Sequence, residues 1–478
     1  MEPNIIFNKT KIVATVGPAC NTREQLKQLI LTGVDVFRLN FSHGSHDDHA
    51  KVVAHVRDLN EELGTHVCLL QDLQGPKIRV QEVENNGVEI KTGDPLIITT
   101  DPVLGSSQKV STSYQALPND VAQGDMILID DGKLELVVES VQGNEVHTRI
   151  IHGGILKTKK GINLPMTRVS APSLTDKDEN DLLFGLEHEV EWIALSFVRT
   201  ADDVLSLKDK IAKAGKRCRV IAKIEKPEAL ADIKNIIKAT DGVMVARGDL
   251  GVEIPMEEVP MAQKNIVRIC NELGKPVIIA TQMMESMIEN PRPTRAETND
   301  IANAVADGAD ALMLSAETAA GKYPVEVVRS MVKTILSVED NMGSIYYKHE
   351  NVTEKSPTFI NDSIVLQACR LAKKVKADAI VGMTKSGYTA YRIASHRPKA
   401  NVFIFTNNRN IMSTLNLLWG IRTIYYDKME STDQTFDDAV EMLRDKGCLH
   451  TGNILIHTAS MPIQRKDRTN VVKLTKVN

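Results

Sequence analysis

Short apolar runs rich in β-branched residues alternate along the chain with longer segments whose apolar residues recur at helical spacing. The strand-like runs begin at residues 11, 34, 66, 191, 218, 241, 276 and 309 and read KIVATVG, VDVFRLN, HVCLLQD, EWIALSF, CRVIAKIE, DGVMVAR, PVIIATQ and ADALMLS. Several helical segments between them, such as REQLKQLILTG, close with glycine as helices often do. This alternation is typical of βα units that build a parallel sheet.

Eight such units in succession predict an α/β fold whose strands close into a TIM (β/α)8 barrel. A doubly wound open sheet is the structural alternative, and the lack of a GxGxxG turn counts against it. After the third strand, QDLQGPKIRV leads into segments that alternate apolar and polar residues around Gly-Asp and Asp-Gly turns. The chain therefore leaves the barrel at its mouth and forms a second, β-rich domain, where a lid over an active site would lie.

The pattern divides the chain into four parts. Residues 1–76 and 169–343 are predicted to form the barrel, and residues 77–168 the inserted lid domain. Residues 344–360 are polar and aperiodic, which predicts a linker. Alternation of strands and helices resumes over residues 361–478, as in ADAIVGMT and NVFIFT, and predicts a C-terminal α/β domain with a smaller open sheet.

Composition excludes several classes of protein. The net charge of −4 over 478 residues gives no basic excess, so nucleic acid is not an expected partner. No apolar run approaches the ~18 residues of a membrane span, and the N-terminus does not resemble a signal peptide, so no membrane association is expected. The six cysteines are scattered without a CxxC pair, so we expect free thiols and a cytoplasmic location.

The predicted carboxyl ends of the strands are almost all polar, and a TIM barrel carries its chemistry there. These ends bear Gly17, Asn40, Ser42, Asp72, Ser196, Lys223, Glu225, Asp249, Thr281, Ser315 and Glu317. For a single Ser or Thr, contact with solvent is an equally good explanation. The stretch AKIEK favours function, because an apolar strand sends Lys223 and Glu225 to the same side.

Two acids on neighbouring strands suit a hard cation. Mg²⁺ is commonly held by one or two carboxylates and leaves its other positions to water and substrate oxygens. Glu225 on the fifth strand and Asp249 after the sixth are the predicted pair. Taken alone, Asp249 would be explained as an ordinary helix cap.

Positive side chains collect at the same predicted mouth. In FRLNFSHG, alternation sends Arg38, Asn40 and Ser42 to one side, and the lid contributes Arg79 and Lys160. Guanidinium groups bind phosphate through two parallel donors, which predicts a phosphorylated substrate. No GxxxxGK[ST] loop occurs, so a bound nucleotide would not use a P-loop.

Nine segments together resemble the pyruvate kinase family, in its order and spacing along essentially the whole chain. They are TVGPA, FRLNFSHG, DLQGPKIR, KKGINLP, AKIEKPEA, MVARGDLGVEIP, TQMMESM, PRPTRAE and MLSAETAAGKYP. The resemblance implies Mg²⁺-dependent phosphoryl transfer from phosphoenolpyruvate to ADP, giving pyruvate and ATP in the final ATP-forming step of glycolysis. It also implies the same three-domain architecture and a homotetramer.

The resemblance assigns roles to individual residues. Arg38 matches a phosphate-binding residue, and Lys223 matches the group that steadies charge on the transferring phosphoryl group and the enolate. Glu225 and Asp249 match the Mg²⁺ ligands, with Mn²⁺ as a substitute metal. Gly248 and Asp249 match backbone contacts to the substrate carboxylate, Thr281 matches the residue that helps protonate the enolate, and Asn40, Arg79 and Lys160 match nucleotide contacts.

Many family members require K⁺, which is held at positions matching Asn40, Ser42, Asp72 and Leu73. Those members usually carry Thr at the position of Leu73 and Glu at the position of Lys77, whereas Leu and Lys resemble the K⁺-independent branch. We hypothesise that the Lys77 ammonium lies near Asp72 and supplies the positive charge that K⁺ otherwise brings. The alternative is a solvated lysine at the lid hinge that leaves a working K⁺ site.

The segment TKSGYTA at 384–390 follows a predicted strand, opens a helix and resembles the family's effector loop. It predicts a phosphate-binding site for an effector at Thr384, Lys385, Ser386, Gly387 and Thr389, although an ordinary turn would also explain it. Near the C-terminus, TASMPIQRKDRTN supplies Arg465, Lys466 and Arg468, and the effector's identity does not follow from these residues.

Two alternative functions stay open at this stage. A metal-dependent TIM-barrel aldolase acting on pyruvate enolate would use the same Mg²⁺, lysine and arginine. A catalytically silent regulatory paralogue would have the same fold. The lid and the C-terminal domain count against the aldolase, and retention of Arg38, Lys223, Glu225, Asp249 and Thr281 counts against the silent paralogue.

Overall fold

The computed structural model describes residues 7–165, 167–347, 352, 354, 356–428, 431–462 and 468–478. Its strands are β1 Lys11–Thr15, β2 Val36–Asn40, β3 Cys68–Asp72, β4 Gly87–Ile90, β5 Pro95–Thr99, β6 Lys109–Ser111, β7 Met126–Ile129, β8 Leu134–Gln142, β9 Glu145–His152, β10 Gly154–Lys157, β11 Ile162–Asn163, β12 Trp192–Leu195, β13 Arg219–Ile224, β14 Gly242–Ala246, β15 Val277–Ala280, β16 Ala311–Leu314, β17 Ala379–Met383, β18 Asn401–Thr406, β19 Ile421–Tyr425, β20 Ile454–Ala459 and β21 Val471–Lys476.

The helices are α1 Arg23–Thr32, α2 His46–Leu63, α3 Leu117–Asp120, α4 Asp176–Glu187, α5 Ala201–Lys213, α6 Pro227–Ala231, α7 Ile233–Ala239, α8 Arg247–Glu253, α9 Val259–Leu273, α10 Arg295–Asp307, α11 Ala316–Ala319, α12 Pro324–Asn341, α13 Phe359–Val375, α14 Tyr388–Ser395, α15 Arg409–Leu415 and α16 Thr432–Asp445. Capping residues in the local sequence determine where several of these helices begin. Thr22 and Gln25 form a capping box at α1, and Thr175 and Asp178 form one at α4.

Eight parallel strands close into a barrel in the order β1, β2, β3, β12, β13, β14, β15 and β16, which confirms the predicted fold class. Strands β1, β3 and β14 are buried along their whole length, as continuous apolar runs require in a parallel sheet covered by helices. The register pairs Asn40 with Asp72 and Ala194 with Asp72, so the polar strand ends meet at one rim.

The chain leaves the barrel after β3 and returns at α4, and between them lie a two-stranded sheet and a six-stranded sheet. These sheets share a core of their own that includes Leu96, Ile98, Ile127 and Leu136. The short strands β6 and β11 and the single-turn helix α3 were not predicted. The sheets confirm the β-rich insertion, and the boundaries placed at residues 77 and 168 stay predictions.

The C-terminal sheet has the order β19, β18, β17, β20 and β21. Its first four strands are parallel and confirm the smaller α/β sheet, whereas β21 pairs antiparallel with β20 and was missed. The predicted linker 344–360 falls partly on residues outside those described, and the boundaries at 343 and 360 stay predictions. Within the described residues, no helix is both long enough and apolar enough to cross a membrane.

Candidate active site

Four charged side chains meet at the carboxyl end of the barrel. Arg38 Nε donates to Asp72 Oδ2 at 2.7 Å, and Arg38 Nη2 lies 2.7 Å from the same oxygen. Lys223 Nζ lies 3.2 Å from Asp72 Oδ1 and 2.9 Å from Glu225 Oε1. Both carboxylates are buried, so the two cations are fixed by a pair of acids that solvent does not reach.

The protonation states of this cluster follow from burial and charge. Burial alone would lower the pKa of Lys223, but Asp72 and Glu225 outweigh it and raise that pKa well above its ordinary value. Burial would raise the pKa of Asp72, and the charges of Lys223 and Arg38 lower it instead. Lys223 is therefore a permanently charged ammonium held at a fixed point.

The negative charge of Asp249, which follows β14, acts on Glu225, which follows the neighbouring β13. Burial raises the pKa of Glu225, Lys223 opposes that rise, and the negative charge of Asp249 adds to it. No group of three or more His, Cys, Asp or Glu side chains in the described part of the chain could hold a metal alone. Two repelling carboxylates fit a hard cation that takes its remaining ligands from water and substrate.

Lys77 contacts a different acid from the one expected. Its Nζ lies 3.2 Å from Asp249 Oδ1, and Asp72 is instead occupied by Arg38 and Lys223. The turn at Gly75, where φ is +68°, redirects the chain after β3 and carries the lysine across the mouth. The expectation that Lys77 lies beside Asp72 is therefore corrected, and its charge lies next to a predicted metal ligand.

The other residues of the predicted monovalent-cation site are largely engaged. Asn40 Oδ1 accepts the backbone N–H of Ser42 at 3.1 Å. Leu73 is buried in the hydrophobic core of the barrel. The acid of the predicted site, Asp72, is paired with Arg38 and Lys223.

Thr281 follows β15 in a strained conformation with φ at +70°, a region that residues other than glycine seldom adopt. Its hydroxyl donates to Ala280 O at 2.6 Å and accepts the N–H of Gly248 at 2.8 Å. Arg247 Nη2 donates to Thr281 O at 2.8 Å, and Arg247 Nη1 pairs with Asp300 at 2.8 Å. The first turn of α8 thus fixes the Thr281 hydroxyl.

A cavity of about 1050 Å³ lies between the lid and the barrel. Gly248, Asp249 and Thr281 line it from the barrel side, and Lys77 lines it where the chain enters the lid. Leu128, Asp131 and Gly132 line it from the lid side. The cavity therefore places Gly248, Asp249 and Thr281 opposite the lid.

The predicted nucleotide residues of the lid lie close together in its fold. Arg79 forms a backbone bridge with Gly161, and its Nη1 donates to Lys159 O at 3.1 Å. Lys160 Nζ lies 2.7 Å from Asp130 Oδ1. Both side chains are partly exposed, so they are accessible to a ligand.

The predicted effector loop runs from β17 into α14. Thr384 Oγ1 accepts the N–H of Gly387 at 3.0 Å, and Gly387 has φ at +87°. Ser386 Oγ accepts the N–H of Tyr388 at 3.4 Å, and the hydroxyls of Thr389 and Thr469 lie 2.9 Å apart. Asn408 Nδ2 donates to Lys385 O at 3.3 Å.

Arg465 and Lys466 lie outside the described residues, and Arg468 Nη1 donates to Pro357 O at 3.0 Å.

Sequence analysis missed or undervalued three residues near the cluster. Arg247 holds Thr281 and was not singled out, although it lies two residues before Asp249. Ser196 accepts a hydrogen bond from Lys223 Nζ at 2.7 Å, although it was noted only as a polar strand end. Asp178, which is fully buried, has the sequence signal of an ordinary helix cap.

Comparison with known proteins gives consistent matches. The family profiles described as "Pyruvate kinase, barrel domain" and "Pyruvate kinase, alpha/beta domain" match residues 7–328 and 362–475. The chain is 44% identical over 473 residues to "Pyruvate kinase" of Geobacillus stearothermophilus, covering 98% of this chain and 80% of that protein. It is 43% identical over 481 residues to "Pyruvate kinase 2" of Synechocystis sp., covering 100% and 80%. A crystal structure of a pyruvate kinase from Cryptosporidium parvum matches with a TM-score of 0.92 at 34% identity, covering 98% of this chain and 96% of that one.

Proposed function

Because the chain belongs to the pyruvate kinase family, it is a phosphotransferase acting on phosphoenolpyruvate and ADP, and we propose which residues carry out that reaction. The products are pyruvate and ATP, in the final ATP-forming step of glycolysis. The observation that carries the proposal is the buried cluster of Arg38, Asp72, Lys223 and Glu225. It provides fixed positive charge where a transferring phosphoryl group needs it.

Lys223 is the proposed catalytic cation. Phosphoryl transfer requires little covalent participation by the protein, so positioning and electrostatic stabilisation contribute most of the rate. The ammonium is charged at every physiological pH, and its two carboxylate partners restrict its movement. Arg38 contributes a second fixed cation and binds the phosphate of phosphoenolpyruvate in this proposal.

The family implies a divalent metal, and we assign it as Mg²⁺ with Mn²⁺ as a substitute. Glu225 and Asp249 would hold it. When bound, the metal neutralises negative charge shared between substrate oxygens. The lysine neighbours of both acids balance their charge, since Lys223 contacts Glu225 and Lys77 contacts Asp249.

The proton that converts enolpyruvate to pyruvate is proposed to arrive by way of Thr281. Its hydroxyl is held by the N–H of Gly248 and by Ala280 O. The first turn of α8, with Gly248 and Asp249, supplies the contacts to the substrate carboxylate. Arg247 maintains this arrangement by holding the carbonyl of Thr281.

The nucleotide is proposed to bind between the barrel and the lid. Arg79 and Lys160 of the lid would contact its phosphates, and Asn40 of the barrel is the third proposed contact. Support comes from the partial exposure of both lid cations and from the backbone bridge that places Arg79 beside Gly161, the residue after Lys160.

We assign the enzyme to the K⁺-independent type, with Lys77 as the cation substitute. The Lys77 ammonium lies at Asp249 and not among Asn40, Ser42 and Asp72. In this assignment it supplies the positive charge of K⁺ without occupying the position where K⁺ would be coordinated. Wild-type activity should be the same in KCl and in tetramethylammonium chloride. Lys77→Glu should lose activity in tetramethylammonium and regain it in KCl, whereas Lys77→Met should show how much is lost by removing the ammonium alone. A Lys77→Glu variant without K⁺ activation would refute the assignment.

Regulation, assembly and location complete the proposal. A phosphorylated effector binds at Thr384, Lys385, Ser386, Gly387 and Thr389, and the protein is a cytoplasmic homotetramer. The six free cysteines agree with a reducing compartment. Titration of sugar phosphates and AMP against the phosphoenolpyruvate saturation curve tests the effector site, and no response to any of them would reject it. Light scattering of the purified protein tests the tetramer.

A further inference from the structure

The turn after β12, formed by Ser196 and Phe197, contacts the catalytic cluster. It also contacts residues 73–77, the lid hinge through which the chain leaves the barrel for the lid. Ser196 Oγ accepts a hydrogen bond from Lys223 Nζ at 2.7 Å and donates one to Leu73 O at 2.7 Å. The next residue, Phe197, donates its backbone N–H to Glu225 Oε2 at 2.8 Å. Ser196 is 1% exposed, so no water competes for its hydroxyl.

The hinge segment packs directly on this turn. Gly75 approaches so closely that a Cβ there would lie 2.7 Å from Phe197 Cδ2 and 2.9 Å from Ser196 Cβ. Phe197 itself has φ at +54°, so the turn is strained as well as crowded. Gly75 and the turn are therefore closely packed, so a shift of Gly75 towards the turn would displace it.

One buried acid, Asp178, contacts both connections between the barrel and the lid. Asp178 Oδ1 accepts the N–H of Gly75 at 3.0 Å, where the chain leaves for the lid. Its Oδ2 accepts the N–H and the hydroxyl of Thr175, at 2.9 and 2.6 Å, where the chain returns. Both connections to the lid therefore end at a single carboxylate.

We propose that Ser196 is a positioning residue that couples the lid hinge to the catalytic lysine. The hinge, fixed by Asp178, holds Leu73 O; Leu73 O orients the Ser196 hydroxyl; and that hydroxyl directs Lys223 Nζ. The position of the lid thereby sets the position of the ammonium. This inference rests on the proposed role of Lys223.

Steady-state kinetics of full-length variants test the coupling. Ser196→Ala should lower kcat about tenfold or more and leave the KM for phosphoenolpyruvate within about threefold, because a hydrogen bond to a charged group is lost without loss of a binding contact. Asp178→Asn, which replaces one accepting oxygen with a donor, should lower kcat by a smaller factor. The double variant should be no slower than Ser196→Ala, since both changes interrupt one chain of contacts.

Thr240→Val is the matched control. The buried Thr240 hydroxyl lies 2.9 Å from both Val220 O and Gly242 O, near the opposite end of β13 and β14, and its proton is donated to one of them or shared. Its loss should lower thermal stability and leave kcat unchanged. A Ser196→Ala enzyme with kcat within about twofold of wild type would overturn the proposal. So would a double variant whose loss is the product of the single losses. If Lys223→Met also keeps full activity, the proposed role of Lys223 fails; if only Ser196→Ala does, the coupling alone fails.

Discussion

Arg397 joins the C-terminal domain to the floor of the barrel, and we expect Arg397→Met to destabilise the protein strongly. Its guanidinium contacts both carboxylate oxygens of Asp310, at 2.8 and 2.9 Å. It also donates to Asn271 Oδ1 at 2.8 Å and to Gly308 O at 2.7 Å. The side chains of the ion pair are 2% and 4% exposed.

The size of the effect follows from burial. Removing one partner of a buried pair leaves an uncompensated charge, which costs about 3 to 5 kcal/mol. Asp310 would keep only backbone donors, among them the N–H of Val277 at 3.0 Å. The matched control is Arg268→Met, because the Arg268–Glu272 pair has a 2.6 Å separation but is about half exposed. That surface pair should contribute less than about 1 kcal/mol.

Intrinsic fluorescence during urea unfolding is a suitable assay because both tryptophans of the chain report this interface. The Arg397 guanidinium lies over the Trp419 ring, with Arg397 Cζ 5.1 Å from the ring centre. Trp192 Nε1 donates to Thr414 O at 3.1 Å. Arg397→Met should lower the urea midpoint clearly, and Arg268→Met should leave it nearly unchanged. Equal small shifts in the two variants would refute the claim that burial gives the Arg397 pair its energetic weight.

Three further predictions concern the metal, acid stability and Thr281. Glu225→Gln should raise the Mg²⁺ concentration needed for half-maximal rate by about tenfold or more, measured by metal titration, and an unchanged requirement would remove Glu225 as a ligand. Burial lowers the pKa of His457 from 6.5 to about 4. Between these two pH values the folded state therefore binds fewer protons than the unfolded chain. The protein loses stability as the pH falls from 6.5 to about 4. The full loss is about 3 kcal/mol, and His457→Leu should flatten the pH dependence of the melting temperature there, whereas an unchanged slope would contradict it. Arg247→Met frees the Thr281 carbonyl and should lower kcat about tenfold, with a modest loss of thermal stability because the partly buried pair with Asp300 is also broken. Wild-type kcat would argue against its positioning role.

The barrel could be predicted because its strands are continuous apolar runs, which periodicity detects directly. The edge strand β21 escaped detection because its residues are half-exposed and carry no apolar run of that kind. Its pairing with β20 is a tertiary event that propensity does not encode. Barrel closure and the inserted lid followed from the pattern, whereas the strand order of the C-terminal sheet and short pieces such as β11 did not.

The charged residues of the site could be predicted from their places at strand ends, but their partners could not. Lys77 is five residues from Asp72, yet it contacts Asp249, which lies 172 residues away in sequence. The turn at Gly75 decides this, and no local pattern specifies its direction. Ser196 and Asp178 carry ordinary local signals, and their importance follows only from contacts across the barrel.

The central claim is that Lys223 stabilises the charge that develops during phosphoryl transfer. The most direct test is the rate of pyruvate formation from phosphoenolpyruvate, ADP and Mg²⁺ for the wild-type enzyme and for Lys223→Met, with unfolding curves recorded for both. The wild-type enzyme should show ADP-dependent turnover, and a folded Lys223→Met enzyme should lose about 10²- to 10³-fold in kcat. A folded Lys223→Met enzyme with wild-type kcat would contradict it, and a wild type without ADP-dependent turnover would restore the aldolase and the silent paralogue as explanations.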